Sequence, residues 1–337
     1  ISQDADVSSE KIVKTGSGTV TLSGNNTYSG NTEIDGGTLN VAGDLSGSSF
    51  IYLGNGANSD AATLELSGSG STLGSMQVNV SAGSGARTIN VTAGSHTMSG
   101  GSMTVDRAAT INASGGSLNI AHTVSLALTE TGSDELTINA TGGSVTLSGA
   151  TAISMGSDRD LGVTGSGNTT ISGAISASTG AAQINKSGSG TLTISGDNTG
   201  SSYMLNIAGG TVALNHANAL GNTAFVNSDK VNFNSSGTLQ VNANAGTSTL
   251  DLRVANGQVG TIEVTGANVF TVDTLRNVSG SGTFTKTGSG TLEIVGASPF
   301  SGTLNVNAGT VDVQGSLSSS VNMSGGTLTG DGSVGAL

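Results

Sequence analysis

Apolar and polar positions alternate along this chain in short bursts. Val20 and Leu22, Leu39 and Val41, Leu64 and Leu66, Val78 and Val80, Ile89 and Val91, and Leu118 and Ile120 are pairs with one polar residue between them. Side chains two apart on an extended backbone project to one face, so each pair predicts a short strand with one side to bury. Glycine, serine and asparagine separate the bursts and predict turns. No 11-residue window carries apolar residues at i, i+3, i+4 and i+7, the spacing of an amphipathic helix; residues 214–221 (LNHANALG) come nearest.

The bursts repeat. "GGTLNV" (36–41) returns as "GGSMTV" (100–105), "GGSLNI" (115–120), "GGSVTL" (142–147), "GGTVAL" (209–214), "AGTVDV" (308–313) and "GGTLTG" (325–330). A longer unit contains it: Lys14 opens "KTGSGTVTLSGNNTYSGNTEIDGGTLNV", Lys186 opens "KSGSGTLTISGDNTG", and Lys286 opens "KTGSGTLEIVGASPFSGTLNVNAGTVDV". Strands this short cannot bury a face alone, but stacking one coil on the next buries a continuous apolar column. The predicted fold is all-β, a right-handed parallel β-helix. Glycines take corners with positive φ, Thr and Val suit pleated faces, and Asn25, Asn26, Asn112, Asn139 and Asn198 supply turn hydrogen bonds or stacked amide ladders. At about 20–25 residues per coil and ~4.8 Å per strand, the expectation is one continuous rod over residues 1–337, with roughly 15 coils spanning about 70 Å. Repeat-like segments fall at 14–43, 161–221 and 276–337.

Composition narrows the class. Length alone suggests about two globular domains at ~150 residues each. Only 9% of residues are charged, however, and 3% aromatic, with 55 Gly and one Pro among 337, against roughly 25% charged in an ordinary soluble domain. Disorder is also a poor fit, because disordered chains are rich in Pro, Glu and Lys, while the period-two runs of Val, Ile and Leu here require a buried side.

The segments opened by Lys14 and Lys286 resemble the passenger-associated transport repeat, also called the autotransporter-associated β-strand repeat. Tyr28 and Phe300 occupy the same place in both, four residues after Gly24 and Gly296 and just before a Ser-Gly pair. At 186–214 the likeness weakens, since Gly200 stands where the aromatic belongs and Tyr203 follows three residues later. "LGVTGSGNTTISGAIS" (161–176) and "GGTLTGDGSVGAL" (325–337) are similar to segments flanking the repeat; 44–160 and 222–275 match in style alone. The resemblance implies a β-helical passenger of a bacterial autotransporter, carried to the cell surface through a C-terminal outer-membrane barrel. Neither a signal peptide in "ISQDADVSSE" nor a barrel at the C-terminal end is legible, so the chain is expected to be a piece of something larger.

Net charge is −12 with a sequence pI near 4.3, and the ten basic residues are scattered. Nucleic acid and anionic membranes are therefore poor partners. No apolar run reaches 18 residues, so no helix spans a bilayer. Zero Cys is compatible with export through an oxidising periplasm.

Catalytic and metal chemistry find thin support, and no cofactor, metal or catalytic residue is assigned. Asp158, Arg159 and Asp160 would place two acids on one side if extended, but a turn is the simpler reading. His96, His122 and His216 lack metal-like spacing and read as solvated loop or turn residues. "GDGSVG" (330–335) satisfies G-x-G-x-x-G without room for a following helix. Lys14, Lys186 and Lys286 read as solvated corner residues limiting sideways association of strands, rather than as partner contacts. The function expected is adhesion to host or bacterial surface glycans or proteins, or self-association. A passive stalk or secretion module is the alternative, and a polysaccharide-active enzyme ranks behind both.

Overall fold

The structure is a computed structural model that describes residues 11–54, 60–78, 85–126, 136–156, 158–177, 181–221, 230–247, 249–278 and 280–336. Val80 and residues 1–10 lie outside them. Two compact units divide the chain, Ile1–Ile175 and Ser176–Leu337. Among the described residues there are strands, turns and bends but no helix, and the sheets form a parallel β-solenoid of about 12 turns.

In the first unit, alternation builds three faces. One runs through Ile12–Lys14, Thr32–Ile34, Phe50–Leu53, Ser75–Val78, Ser102–Val105, Thr123–Leu126 and Thr151–Met155. A second takes Thr19–Leu22, Gly37–Val41, Ala62–Leu66, Arg87–Val91, Ala109–Ala113, Leu136–Ala140 and Asp160–Thr164. The third takes Thr72–Leu73, Ser95–Met98, Ser117–Ile120, Ser144–Leu147 and Asn168–Ile171. Parallel register sets like over like: Leu39 lies beside Leu64, then Ile89, Ile111 and Ile138. All five are fully buried. Burial of such a side chain contributes roughly 1.5–3 kcal/mol, so the column is the main source of cohesion. Val20 shares this inward parity through its pairing with Leu39 but stays 43% exposed. Its strand has a neighbour on one side only among the described residues.

The second unit repeats the plan. Its faces pass through Gln183–Lys186, Met204–Ile207, Val231–Phe233, Asp251–Val254 and Thr274–Asn277; through Thr191–Ile194, Thr211–Leu214, Gly237–Val241, Val259–Val264, Thr283–Thr287, Thr303–Val306 and Ser316–Met323; and through Ala245–Gly246, Val269–Val272, Thr291–Ile294, Thr310–Val313 and Thr327–Thr329. Aromatic rings enter this core. Phe284 stands edge-on to Phe233 at 5.9 Å and packs on Phe300 at 5.1 Å between ring centroids. Gly260, paired with Phe284, makes the room: a Cβ there would lie 2.8 Å from Phe233 and 3.0 Å from Phe284.

One expectation needs correction. The turns are fewer than about 15 because coils vary in length: the side chains of Asn90 and Asn112 bond 22 residues apart, and those of Asn112 and Asn139 27 apart. Residues 215–221 form consecutive turns after the strand Thr211–Leu214, with Ala219 N–H donating to His216 O and Gly221 N–H to Asn218 O. The C-terminal "GDGSVG" runs into another strand, Ser333–Ala336.

Candidate functional site

The repeat-opening lysines are not solvated corners. Lys14, Lys186 and Lys286 are 5%, 2% and 0% exposed. Each lies two residues after Ile12, Ile184 or Phe284, so strand alternation turns it toward the interior. The glycine two positions on adopts the left-handed conformation, with φ of 69° at Gly16, 68° at Gly188 and 71° at Gly288, which only glycine adopts without strain. Corner carbonyls thereby converge on the ammonium. Lys14 Nζ donates to Thr15 O (2.8 Å), Gly16 O (2.7 Å) and Gly36 O (2.8 Å). Lys186 Nζ donates to Ser187 O (2.5 Å), Gly188 O (2.9 Å) and Gly209 O (3.4 Å). Lys286 Nζ donates to Thr287 O (2.6 Å), Gly288 O (2.9 Å) and Ala308 O (3.2 Å).

Three N–H donors thus meet three acceptors, the last of them 22 or 23 residues away in the next coil. A charge-assisted bond of this type contributes roughly 1.5–3 kcal/mol, which offsets part of the cost of burying a cation. Burial pulls Lys186 and Lys286 down to about 8, with Glu263 opposing the fall at Lys286. The ammonium remains the main form at pH 7. The glycine of "GGT" or "AGT" closes each cage: a Cβ on Gly37, Gly210 or Gly309 would stand 2.7–2.8 Å from the lysine Nζ.

A second buried fixture follows each lysine, and the sequence reading missed one of its members. Asn26 Nδ2 donates to Gly24 O (2.7 Å) and Asp44 O (2.9 Å). Asn198 Nδ2 donates to Ala219 O (2.7 Å) and to Tyr203 Oη (3.2 Å). Ser298 takes the equivalent place, accepting from Leu275 N–H (2.9 Å) and donating to Leu275 O (2.8 Å). The aromatic beside this plug is buried in every copy. Tyr28 and Phe300 are joined by Tyr203, which is fully buried despite its shifted position and donates its hydroxyl to Ala219 O. Lys230 Nζ lies 4.8 Å from the Tyr203 ring centroid and has no hydrogen-bond partner among the described residues; burial lowers it to about 8.

Two histidines are structural rather than solvated. His96 is 1% exposed, bonded to Ser71 Oγ (2.8 Å) and Ala93 O (2.9 Å). His122 is also buried, which lowers its pKa, although the backbone of Thr123 counters this. His216 sits in the turn, accepting from Asn218 N–H at 3.1 Å. The three do not converge, and among the described residues no three His, Cys, Asp or Glu side chains form a group able to hold a metal. Asp158 has φ 59° in a turn, so Asp158 and Asp160 do not share an extended face.

The outward side of the first unit carries a regular polar row. Thr19, Thr38, Thr63, Thr88, Thr110 and Thr137 stand in register on successive strands. Beside them, Asn139 Nδ2 donates to Asn112 Oδ1 and Asn112 Nδ2 to Asn90 Oδ1, both at 3.0 Å. Each amide fixes the next, leaving a regular array of hydroxyl and amide groups.

Comparison with known proteins agrees with this architecture. The chain carries the passenger-associated-transport-repeat three times, at 12–41, 184–214 and 284–313. Each copy contains one caged lysine, one buried plug and one "GGT" or "AGT" corner, so this is a β-solenoid bearing autotransporter passenger repeats. A curated protein named as the adhesin BmaC autotransporter of Brucella suis biovar 1 (strain 1330) is 33% identical over 166 residues. That match takes in 48% of this chain and 4% of the Brucella protein. No solved structure matches the chain.

Proposed function

We propose that the chain is a segment of a bacterial surface-displayed or secreted passenger acting in adhesion or self-association through its repeated polar rows. The observation that carries this reading is the in-register threonine row beside the Asn90–Asn112–Asn139 amide ladder. Such an array offers many weak hydrogen-bonding contacts at steps of ~4.8 Å, and weak contacts gain strength when displayed together. Suitable partners are glycans or proteins of host or bacterial surfaces, or further copies of the chain. The repeats and the likeness to an adhesin support a place on the cell surface or outside it, joined to an outer-membrane barrel. A second reading, a passive stalk or secretion module, is favoured by how much of each repeat is spent on joining coils.

The test compares free fragment with fragment arrayed on beads. Arrays are expected to aggregate or bind cells far better than monomer. The triple substitution Thr88→Lys, Thr110→Lys, Thr137→Lys should abolish this without unfolding the column. Arrays that neither aggregate nor bind cells would leave the stalk reading in possession. Sugar release from polysaccharides that disappears in Asp158→Asn or Asp160→Asn would overturn both.

A further inference from the structure

A buried cation is ordinarily balanced by a carboxylate, yet the acceptors around Lys14, Lys186 and Lys286 are all backbone carbonyls. Carbonyl dipoles converging on one point are the chemistry of a monovalent-cation site, where oxygens replace the shell of water. Here the cradle is made by the fold: a left-handed glycine turns two successive carbonyls inward, and the next coil brings a third.

We propose that the corner of each passenger-associated repeat is a cage for an ammonium-type monovalent cation, with the repeat's own lysine as its tethered occupant, and that filling the cage fixes one coil onto the next. A separate observation outside the three repeats supports it. Arg87, 1% exposed, places Nη1 against Asp60 O (2.8 Å) and Gly85 O (2.9 Å), again carbonyls of two successive coils. Nη1 of a different side chain is thus held by carbonyls in the same way, while Nε and Nη2 have no hydrogen-bond partner among the described residues. The lysine acts as a positioning residue: its first two acceptors are local, and its third exists only when the following coil has closed.

The test begins with the unaltered protein. Nitrogen-15 spectra near neutral pH should show the ammonium protons of Lys14, Lys186 and Lys286 exchanging slowly with water, while those of Lys11, whose side chain is 55% exposed, exchange too fast to observe. In Lys286→Ala the unfolding midpoint should fall and protection of the Asn307 and Thr310 amides, which donate to Lys286 O and Gly290 O of the neighbouring coil, should drop. Ammonium or methylammonium chloride should restore most of both. Tetramethylammonium chloride at equal ionic strength has no N–H to donate and should restore neither. Equal action of the three salts would overturn the proposal, as would a Lys286→Met protein with unchanged midpoint and unchanged corner protection. If Lys286→Ala does not fold, the exchange rates in the native protein decide, and fast exchange at all three lysines refutes the cage.

Discussion

Gly257 and Gly309 share nearly the same backbone, with φ of 70° and 72°, but have different surroundings. A Cβ on Gly257 meets nothing within 4 Å. On Gly309 it would come closer than 3.0 Å to the carbonyl oxygens of Gly288 and Gly290 and 2.8 Å from Lys286 Nζ. Alanine at either site incurs about 1–2 kcal/mol for the left-handed conformation, less about 0.4–1 kcal/mol from the stiffer unfolded chain. Gly257→Ala should therefore destabilise by about 0–1.6 kcal/mol. At Gly309 the Gly288 carbonyl must also move, and it is one of the Lys286 acceptors. Loss of that charged hydrogen bond adds roughly 1.5–3 kcal/mol, and overpacking adds about 1–3 kcal/mol. The expected gap between the two alanines is about 2.5 kcal/mol or more. A stacked array opens locally as well as globally, so urea unfolding should be paired with hydrogen exchange at 286–290 and 306–310. Two variants within about 0.5 kcal/mol of each other, the scatter of innocuous surface changes, would refute the idea that the cage, rather than φ alone, demands glycine.

Three other outcomes follow from the geometry. Leu39→Asp should open the first unit's column to protease, since an uncompensated buried carboxylate costs several kcal/mol, while Asn40→Asp on the outward side should be tolerated; equal resistance would show the inward register to be wrong. Lys230, pulled to about 8 in the folded state from an ordinary value of ~10.4, releases its proton earlier than the unfolded chain, so its unfavourable contribution is full below pH 8 and fades between about 8 and 10.4. Lys230→Met should accordingly raise stability at pH 7 by up to about 3 kcal/mol, with less gain at pH 9.5; a gain independent of pH would remove the buried charge as its cause. Phe284→Ala should cost about 3–5 kcal/mol by emptying the space beside Gly260 and Phe233, measured as the urea midpoint, and loss of less than about 1 kcal/mol would mean that the rings do not support one another.

The column was legible because its signal is local: Leu39, Leu64, Ile89 and Ile138 each announce their face by the polar residue beside them. Stacking followed from strands too short to stand alone. What escaped was chemistry at the same parity. Lys14, Lys186 and Lys286 each stand two residues after an inward apolar side chain, so alternation pointed them inside, but a lysine is so seldom buried that residue type outweighed position. Their acceptors could not be seen, because carbonyl direction depends on the left-handed glycine and on a coil 22 or 23 residues on. Ser298 was hidden for another reason, as it does the work of Asn26 and Asn198 with different atoms. His96 and His122 were misplaced by the same weighting of type over parity.

Half of the basic residues, Lys14, Arg87, Lys186, Lys230 and Lys286, are withdrawn from water, while no described Asp or Glu is buried. The charged groups exposed at the surface are therefore weighted toward carboxylates, while the net charge stays at −12. Two such surfaces repel within about a Debye length, ~8 Å at physiological salt, and less strongly as added ions screen them. If copies meet through the polar rows, added salt should favour that contact by screening the carboxylates, an effect that traces to cations the fold keeps inside.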